Sequence, residues 1–316
     1  MEFRENESLA NHTTFRIGGP AKRYAEAASA ADLAEAVSRA ERENLPIFVF
    51  SGGSNILFSD RGFPGIVVRI VISGIRTREN GSVSVGAGER LSDLVSASCE
   101  AGLSGLERLA GVPGSVGGAI RGNAGAFGTE TGQDIVSVKA FDIRTGEVHE
   151  FRHDGCRFGY RQSLFKENPD LIVLSAEFRL SLGHDPESLR TVAGEVVGRR
   201  EEKHPQDVFS AGSFFMNPIV TDPKLREEFT KDSGRPPKDD RLPAGWLIDQ
   251  VGLRGKTIGH AKVSEIHPNY ILNTGEATAE DVMTLISIVK QRIRDELNVQ
   301  MLPEVLLVGF GSEKPM

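Results

Sequence analysis

Between Gly111 and Gly128 the chain reads GVPGSVGGAIRGNAGAFG, seven glycines in eighteen residues with apolar, polar and turn-forming residues set between them. Glycine adopts positive φ readily and lets the main chain approach a ligand with no Cβ in the way, so successive N–H groups can converge on a phosphate. The same composition also serves an ordinary surface turn, and the run alone does not separate the two. A second stretch, SGGSNIL from Ser51 to Leu57, follows directly on the apolar segment PIFVF from Pro46 to Phe50. That order puts small hydroxyls and main-chain donors at the end of a strand. Two such cradles, separated by about the length of two strands and a helix, suit a ligand with an extended diphosphate, such as FAD.

The common nucleotide signatures do not account for these stretches. Gly86-Ala87-Gly88 continues to Leu91 where a dinucleotide fingerprint needs its third glycine. Gly255-Lys256-Thr257 ends like a P-loop, but Gln250 stands where the first glycine belongs, so the segment reads as a turn. Candidates for chemistry are polar residues in apolar or turn contexts: Tyr160-Arg161-Gln162-Ser163, Ser213 in AGSFFMNP, and Glu304 in LPEVLLVGF. Plainer readings exist for three of them: a solvated loop charge for Arg161, a turn hydroxyl for Ser213 and a strand-entry carboxylate for Glu304. His260 and His267 have no carboxylate or cysteine at ligand spacing, so no metal site is expected. Cys99 and Cys156 lack C-x-x-C spacing and read as reduced thiols.

Periodicity indicates the elements that must hold these groups. From Ser29, SAADLAEAVSRAEREN predicts a helix capped by Ser29, with Leu33, Ala36, Val37 and Ala40 in one stripe and Asn44 and Pro46 at its end. Strands are expected at Pro46–Phe50, Gly65–Ile70 and Ser82–Gly88, then a helix capped by Ser92 and stopped at Gly102. Beyond the glycine run, Asp134–Ile143 and Val148–Phe151 flank Arg144-Thr145-Gly146-Glu147 as a hairpin, and Asp170–Leu180 adds a strand. Pro186–Lys203 predicts a charged helix with Leu189, Val192, Val196 and Val197 inward, ended by His204-Pro205 near a domain boundary. The remainder predicts a loop at SGRPPKDDRLP and a short helix around Trp246 to Val251. A long helix AEDVMTLISIVKQRIRDEL follows, with Val282, Leu285, Ile286, Val289 and Ile293 on one face, and then a final strand EVLLVGF. The fold class is α+β.

A chain of 316 residues, 39% hydrophobic and 26% charged, is expected to form two or three domains. Its net charge of −7 and the absence of a basic stripe argue against nucleic acid or an anionic membrane as a partner. The polar N-terminus and the lack of a long apolar run predict a cytoplasmic protein, and a monomer is expected.

Eight blocks, taken in order, resemble the UDP-N-acetylenolpyruvoylglucosamine reductase family. They are NHTTFRIGGPA (Asn11 to Ala21), SGGSNIL, the glycine run, FGYRQSLFK (Phe158 to Lys166), SAGSFFMNP (Ser210 to Pro218), PAGWLIDQVGLRG (Pro243 to Gly255), AKVSEIHPNYILN (Ala261 to Asn273) and LPEV (Leu302 to Val305). The resemblance implies an FAD-binding domain of the vanillyl-alcohol-oxidase type, expected over 1–200 with lobes at roughly 1–70 and 71–200. A smaller α+β substrate-binding domain is expected over 201–303, with a C-terminal strand and tail, 304–316, returning toward the FAD domain. It implies noncovalent FAD held by Ser51, Gly52, Gly53, Ser54, Asn55, Ile56 and Leu57, and by Gly111, Pro113, Gly114, Ser115, Gly117, Gly118, Ala119, Asn123 and Gly125.

The resemblance also implies the reaction: NADPH is the hydride donor, and UDP-N-acetylglucosamine enolpyruvate is reduced by way of the flavin to UDP-N-acetylmuramate. Arg161 matches the family's catalytic arginine on the substrate carboxylate, Glu304 the catalytic glutamate beside it, and Ser213 the proton donor to the carbanionic carbon. Tyr160, Asn217, His267 and Asn269 are carried as substrate-pocket residues. The interval between Arg161 and Ser213 is too short for the substrate-covering loop of one branch, which points to the loop-lacking branch. Two departures stand out: Met216 where the family has lysine, and Gly259-His260-Ala261 where a glycine pair precedes the alanine. Two other readings remain open: another FAD-dependent oxidase or dehydrogenase of the same fold, and a noncatalytic flavin- or sugar-nucleotide-binding protein.

Overall fold

Three sheets and the helices laid on them hold the two glycine-rich stretches against each other. The computed structural model describes residues 1–203 and 208–311, so the expected helix stop at His204-Pro205 lies outside the described residues. The first sheet runs in the order Arg4–Ser8, Pro20–Ala27, Phe63–Ile70, Ile47–Phe50, and its last three strands are parallel. A strand apolar along its whole length suits this place, covered on both faces. Helix Ala30–Glu43 connects two of these strands: Ser29 accepts from the Asp32 N–H, Leu33, Ala36, Val37 and Ala40 are buried, and Asn44 ends it at φ 49°.

The second sheet is antiparallel, ordered Val148–Arg152, Ile135–Asp142, Leu171–Arg179, Ser82–Gly86, Ile75–Thr77. The hairpin at Arg144 to Glu147 forms as expected, with Phe141 opposite Val148. Helices Leu91–Glu100 and Pro186–Lys203 pack beside it. Ser92 does not cap the first of these. Arg90 is the N-cap residue and Ser92 sits inside the first turn, its hydroxyl turned to Asp93. The cause is tertiary: the Leu91 N–H is held by the Gly114 carbonyl at 3.0 Å, which starts the helix before the serine. In the second helix Leu189 and Val196 are buried, whereas Val192 and Val197 are half-buried.

The glycine run is not loop throughout. Its middle forms helix Val116–Gly122, where Ser115 accepts from the Gly118 N–H and Asn123 closes the end at φ 41°. Helical glycines cost about 0.5–1 kcal/mol each relative to alanine, and packing explains one of them: a Cβ on Gly117 would lie 2.9 Å from the Ala87 Cβ.

The third sheet is ordered Phe209–Ser213, Tyr270–Asn273, Ala261–Val263, Thr257–Ile258. Helices Pro223–Ser233, Ala244–Gln250 and Ala279–Leu297 accompany it, the last burying Val282, Leu285, Ile286, Val289 and Ile293. This core also takes in Phe15, Ile17 and Leu57 from the N-terminal part of the chain. The C-terminal strand Leu306–Val308 pairs in parallel with Ile56–Phe58, which takes in the last two residues of SGGSNIL. Among the described residues no helix is long and apolar enough to cross a membrane.

Candidate active site

The two glycine-rich stretches touch. The Gly52 N–H and the Gly118 N–H both reach the Ser115 hydroxyl at 3.3 Å, and the Ser54 hydroxyl donates to the Pro113 carbonyl. The approach needs glycine: a Cβ on Gly52 would sit 2.7 Å from the Ser115 nitrogen, and Gly53, at φ 63°, would bring one within 2.1 Å of the His12 carbonyl oxygen. Among the described residues, no group accepts the N–H of Gly53, Ser54, Asn55, Gly114 or Ser115. Five main-chain donors are left unspent on two touching loops, which fits residues open to the diphosphate of a dinucleotide. Ser51, Gly117 and Gly118 line a cleft of about 100 Å³ whose other walls include Phe48, Phe50, Phe165 and Leu306.

Not every expected cradle residue offers its side chain to that space. Ile56 and Leu57 point into hydrophobic cores and Ala119 is buried. Gly111 packs against Val197 and Arg200, where its missing side chain makes room for helix Pro186–Lys203. The buried Asn123 amide is fully occupied, donating to Glu130 and the Gly159 carbonyl and accepting from Gly132. Gly125 contributes its carbonyl oxygen, which accepts from the Arg161 guanidinium at 3.2 Å. Replacing Ser115 by alanine removes both the helix cap and the bridge to Gly52. Such losses cost about 1 kcal/mol, so we expect a lower melting midpoint and weaker FAD retention, read by thermal denaturation and flavin fluorescence.

Arg161 and Glu304 meet although they come from distant segments, and the strand ending at Ser213 reaches Glu304 through the backbone of the next residue, Phe214. Arg161 takes a left-handed backbone, φ 55°, and its Nε lies 2.9 Å from Glu304 Oε1. The side chains of the pair are 25% and 19% exposed. Burial raises the Glu304 carboxyl above its ordinary range, against the opposing pull of Arg161 and then Lys166. Glu304 is fixed by its own backbone: its N–H donates to the Phe214 carbonyl at 2.8 Å, and its carbonyl accepts from the Asn55 amide at 3.1 Å. Ser213 immediately precedes Phe214, at the end of a strand whose register shifts between Ser210 and Ser213 around Gly212 at φ 74°. Among the described residues the Ser213 hydroxyl has no hydrogen-bond partner.

The expected substrate-pocket residues divide. Tyr160 is exposed and stacks on Arg241, whose guanidinium carbon lies 4.4 Å from the ring centroid, while Arg241 donates to the Asn217 carbonyl. The Asn217 side chain accepts from the Ala244 N–H. His267 packs edge-on to Tyr270, and burial lowers its pKa. Asn269 is scaffold: its buried amide accepts from the Phe215 N–H at 3.0 Å and donates to the Phe215 carbonyl at 2.8 Å. Asn269→Ala leaves that peptide unpaired on both sides, at about 1–3 kcal/mol for each buried group. Denaturant unfolding is expected to show the loss. Of the two departures, Met216 is half-buried and gives its N–H to the Leu302 carbonyl, and His260 is exposed with its N–H toward Asp281.

Two cations escaped the sequence reading. Lys166 donates to the Arg161 carbonyl at 2.8 Å, holding the left-handed residue, and Arg121 lines the cleft. Both lie inside blocks already singled out, but a single basic residue in a loop or helix carries no spacing signal.

A family model for an FAD binding domain matches residues 21–152, and one for the UDP-N-acetylenolpyruvoylglucosamine reductase C-terminal domain matches residues 204–308. The UDP-N-acetylenolpyruvoylglucosamine reductase of Solibacter usitatus is 37% identical, with 95% of each chain covered. That of Parasynechococcus marenigrum is 37% identical over 98% of this chain and 97% of its own. The crystal structure of the UDP-N-acetylenolpyruvylglucosamine reductase of Thermus caldophilus is 32% identical with a TM-score of 0.75, covering 97% of this chain and all of that one. Matched end to end, with both halves recognised, the chain belongs to the UDP-N-acetylenolpyruvoylglucosamine reductase family.

Proposed function

We infer that this chain is the FAD-dependent oxidoreductase that uses NADPH to reduce UDP-N-acetylglucosamine enolpyruvate to UDP-N-acetylmuramate, a step of peptidoglycan precursor synthesis. The observation that carries the residue assignment is the Arg161–Glu304 pair, 2.9 Å apart, with the uncommitted hydroxyl of Ser213 one residue before Phe214, whose carbonyl accepts the Glu304 N–H. FAD bound in the cradle supplies the hydride carrier between NADPH and the double bond.

The protein's task is to manage charge. A hydride added to a double bond conjugated with a carboxylate drives the electron pair onto that carboxylate. Arg161 is permanently charged, and its planar fork matches the two oxygens where the charge grows. Its guanidinium is aimed by the Gly125 and Asn123 carbonyls and its backbone by Lys166. Glu304, its pKa raised by burial, would hydrogen-bond one of those oxygens while keeping its proton, so that the single proton the reduction consumes comes from elsewhere. Ser213 then gives its proton to the carbon, helped by a strongly basic acceptor and by positioning.

Residues 1–200 would form the FAD-binding domain, 201–303 the substrate domain, and 304–316 the return, a division supported by the separate hydrophobic core gathered mainly from residues 211–305. The enzyme would belong to the loop-lacking branch and act as a cytoplasmic monomer. The test is optical. Purified protein should show a flavin spectrum that NADPH bleaches and the enolpyruvyl sugar nucleotide restores. Bleaching by an alcohol would favour an oxidase of the same fold, and a spectrum that neither changes would leave a binding protein.

A further inference from the structure

Arg121 takes no part in the chemistry above, yet it occupies a demanding position. Gly117, Gly118 and Arg121 stand four and three residues apart on helix Val116–Gly122, so they share one face, and all three line the cleft with Ser51, Phe48, Phe50 and Phe165. Arg161 finds Glu304 and two carbonyls, and Lys166 finds the Arg161 carbonyl. Among the described residues nothing accepts from the Arg121 guanidinium. Burial alone lowers its pKa, with no anion opposing, and it acts as a like charge on Lys166. A guanidinium cannot shed its charge at any ordinary pH, so one half-buried against aromatic walls with no acceptor among the described residues is set to meet an anion from outside the chain.

We propose that Arg121 is a cofactor-anchoring residue of this chain, its guanidinium pairing with the FAD diphosphate along with the free main-chain donors of Gly53, Ser54, Asn55, Gly114 and Ser115. The planar fork suits two phosphate oxygens, and the main-chain donors supply the rest. The proposal rests on the FAD reading, and its test separates the two.

FAD is stripped from wild-type protein and from the Arg121→Met and Arg121→Lys variants, and FAD and riboflavin are titrated back with flavin fluorescence as the readout. Arg121→Met should weaken FAD by about 10- to 100-fold, flatten the salt dependence of FAD binding, and leave riboflavin, which has no phosphate, unchanged. Arg121→Lys should fall between, and it keeps the test open should the methionine variant not fold. FAD affinity within twofold of wild type, or an equal loss for FAD and riboflavin, would overturn the proposal. So would unchanged FAD binding with a raised KM for NADPH or for the enolpyruvyl sugar nucleotide, because the cation would then serve their phosphates. Wild-type protein that takes up no FAD would sink the cofactor reading itself, and the proposal with it.

Discussion

Ser213→Ala is expected to leave the bleaching of bound FAD by NADPH at its wild-type rate. The return of flavin absorbance on adding the enolpyruvyl substrate should slow by about 10²- to 10⁴-fold, the usual reach of general acid catalysis. The substitution is conservative for the fold. Ser213 is half-buried and its hydroxyl holds nothing in the protein, whereas the neighbouring chain is fixed by main-chain bonds from Phe214 to Asn269 and Glu304. Substrate affinity should therefore change little, and the loss should fall on the protonation step. Stopped-flow absorbance of the two half-reactions decides it: equal slowing of both would mean that Ser213 shapes the flavin environment instead of delivering a proton.

The elements governed by local chemistry were legible in the amino-acid sequence. Ser29 caps its helix and Leu33 to Ala40 form its buried stripe because both signals lie within a few residues of one another. Ser92 misled for the opposite reason, since the start of its helix is set by the Gly114 carbonyl from a different segment. Glycine content hid helix Val116–Gly122, because low intrinsic helicity is overridden there by the Ser115 cap and by packing on Ala87. Helix Pro223–Ser233 went unmarked although its signals are local: Asp222 caps it, proline opens it and Gly234 closes it at φ 71°.

The site was legible in a different way. Arg161, Ser213 and Glu304 stand out as polar residues in apolar or turn contexts and take their roles from the family resemblance, while periodicity and spacing could not bring them together. Their meeting depends on Leu306–Val308 pairing with Ile56–Phe58 and on the Asn55 amide reaching the Glu304 carbonyl, contacts across most of the chain. The asparagines show a further limit. Asn123 and Asn269 look like ligand contacts in their motifs, but both amides are consumed in holding the backbone that carries Arg161, Phe214 and Glu304.

Arg161→Met should cost about 10²- to 10³-fold in turnover, the scale for removing one donor aimed at developing negative charge. Arg161→Lys should recover part of it, since an ammonium restores the charge but not the fork. The lysine variant also separates electrostatics from loop geometry, because the guanidinium is tied to the Asn123 and Gly125 carbonyls. The methionine variant has a second effect, on Glu304. Burial holds that carboxyl above its ordinary range, and Arg161 is the first of the groups pulling it down. Without the arginine the carboxyl rises further. A carboxyl whose folded pKa exceeds its unfolded value contributes stability that is full below the unfolded pKa and lost as pH rises through the folded one. In Arg161→Met that loss should therefore begin at the same pH as in wild type but run on to a higher pH and grow larger, and the limb set by the folded carboxyl in the pH profile of flavin reoxidation should move up. Denaturation midpoints and stopped-flow rates across a pH series measure both. A limb that stays in place, or a variant that keeps turnover within threefold of wild type, would remove Arg161 from the role of charge partner to Glu304 and to the substrate carboxylate.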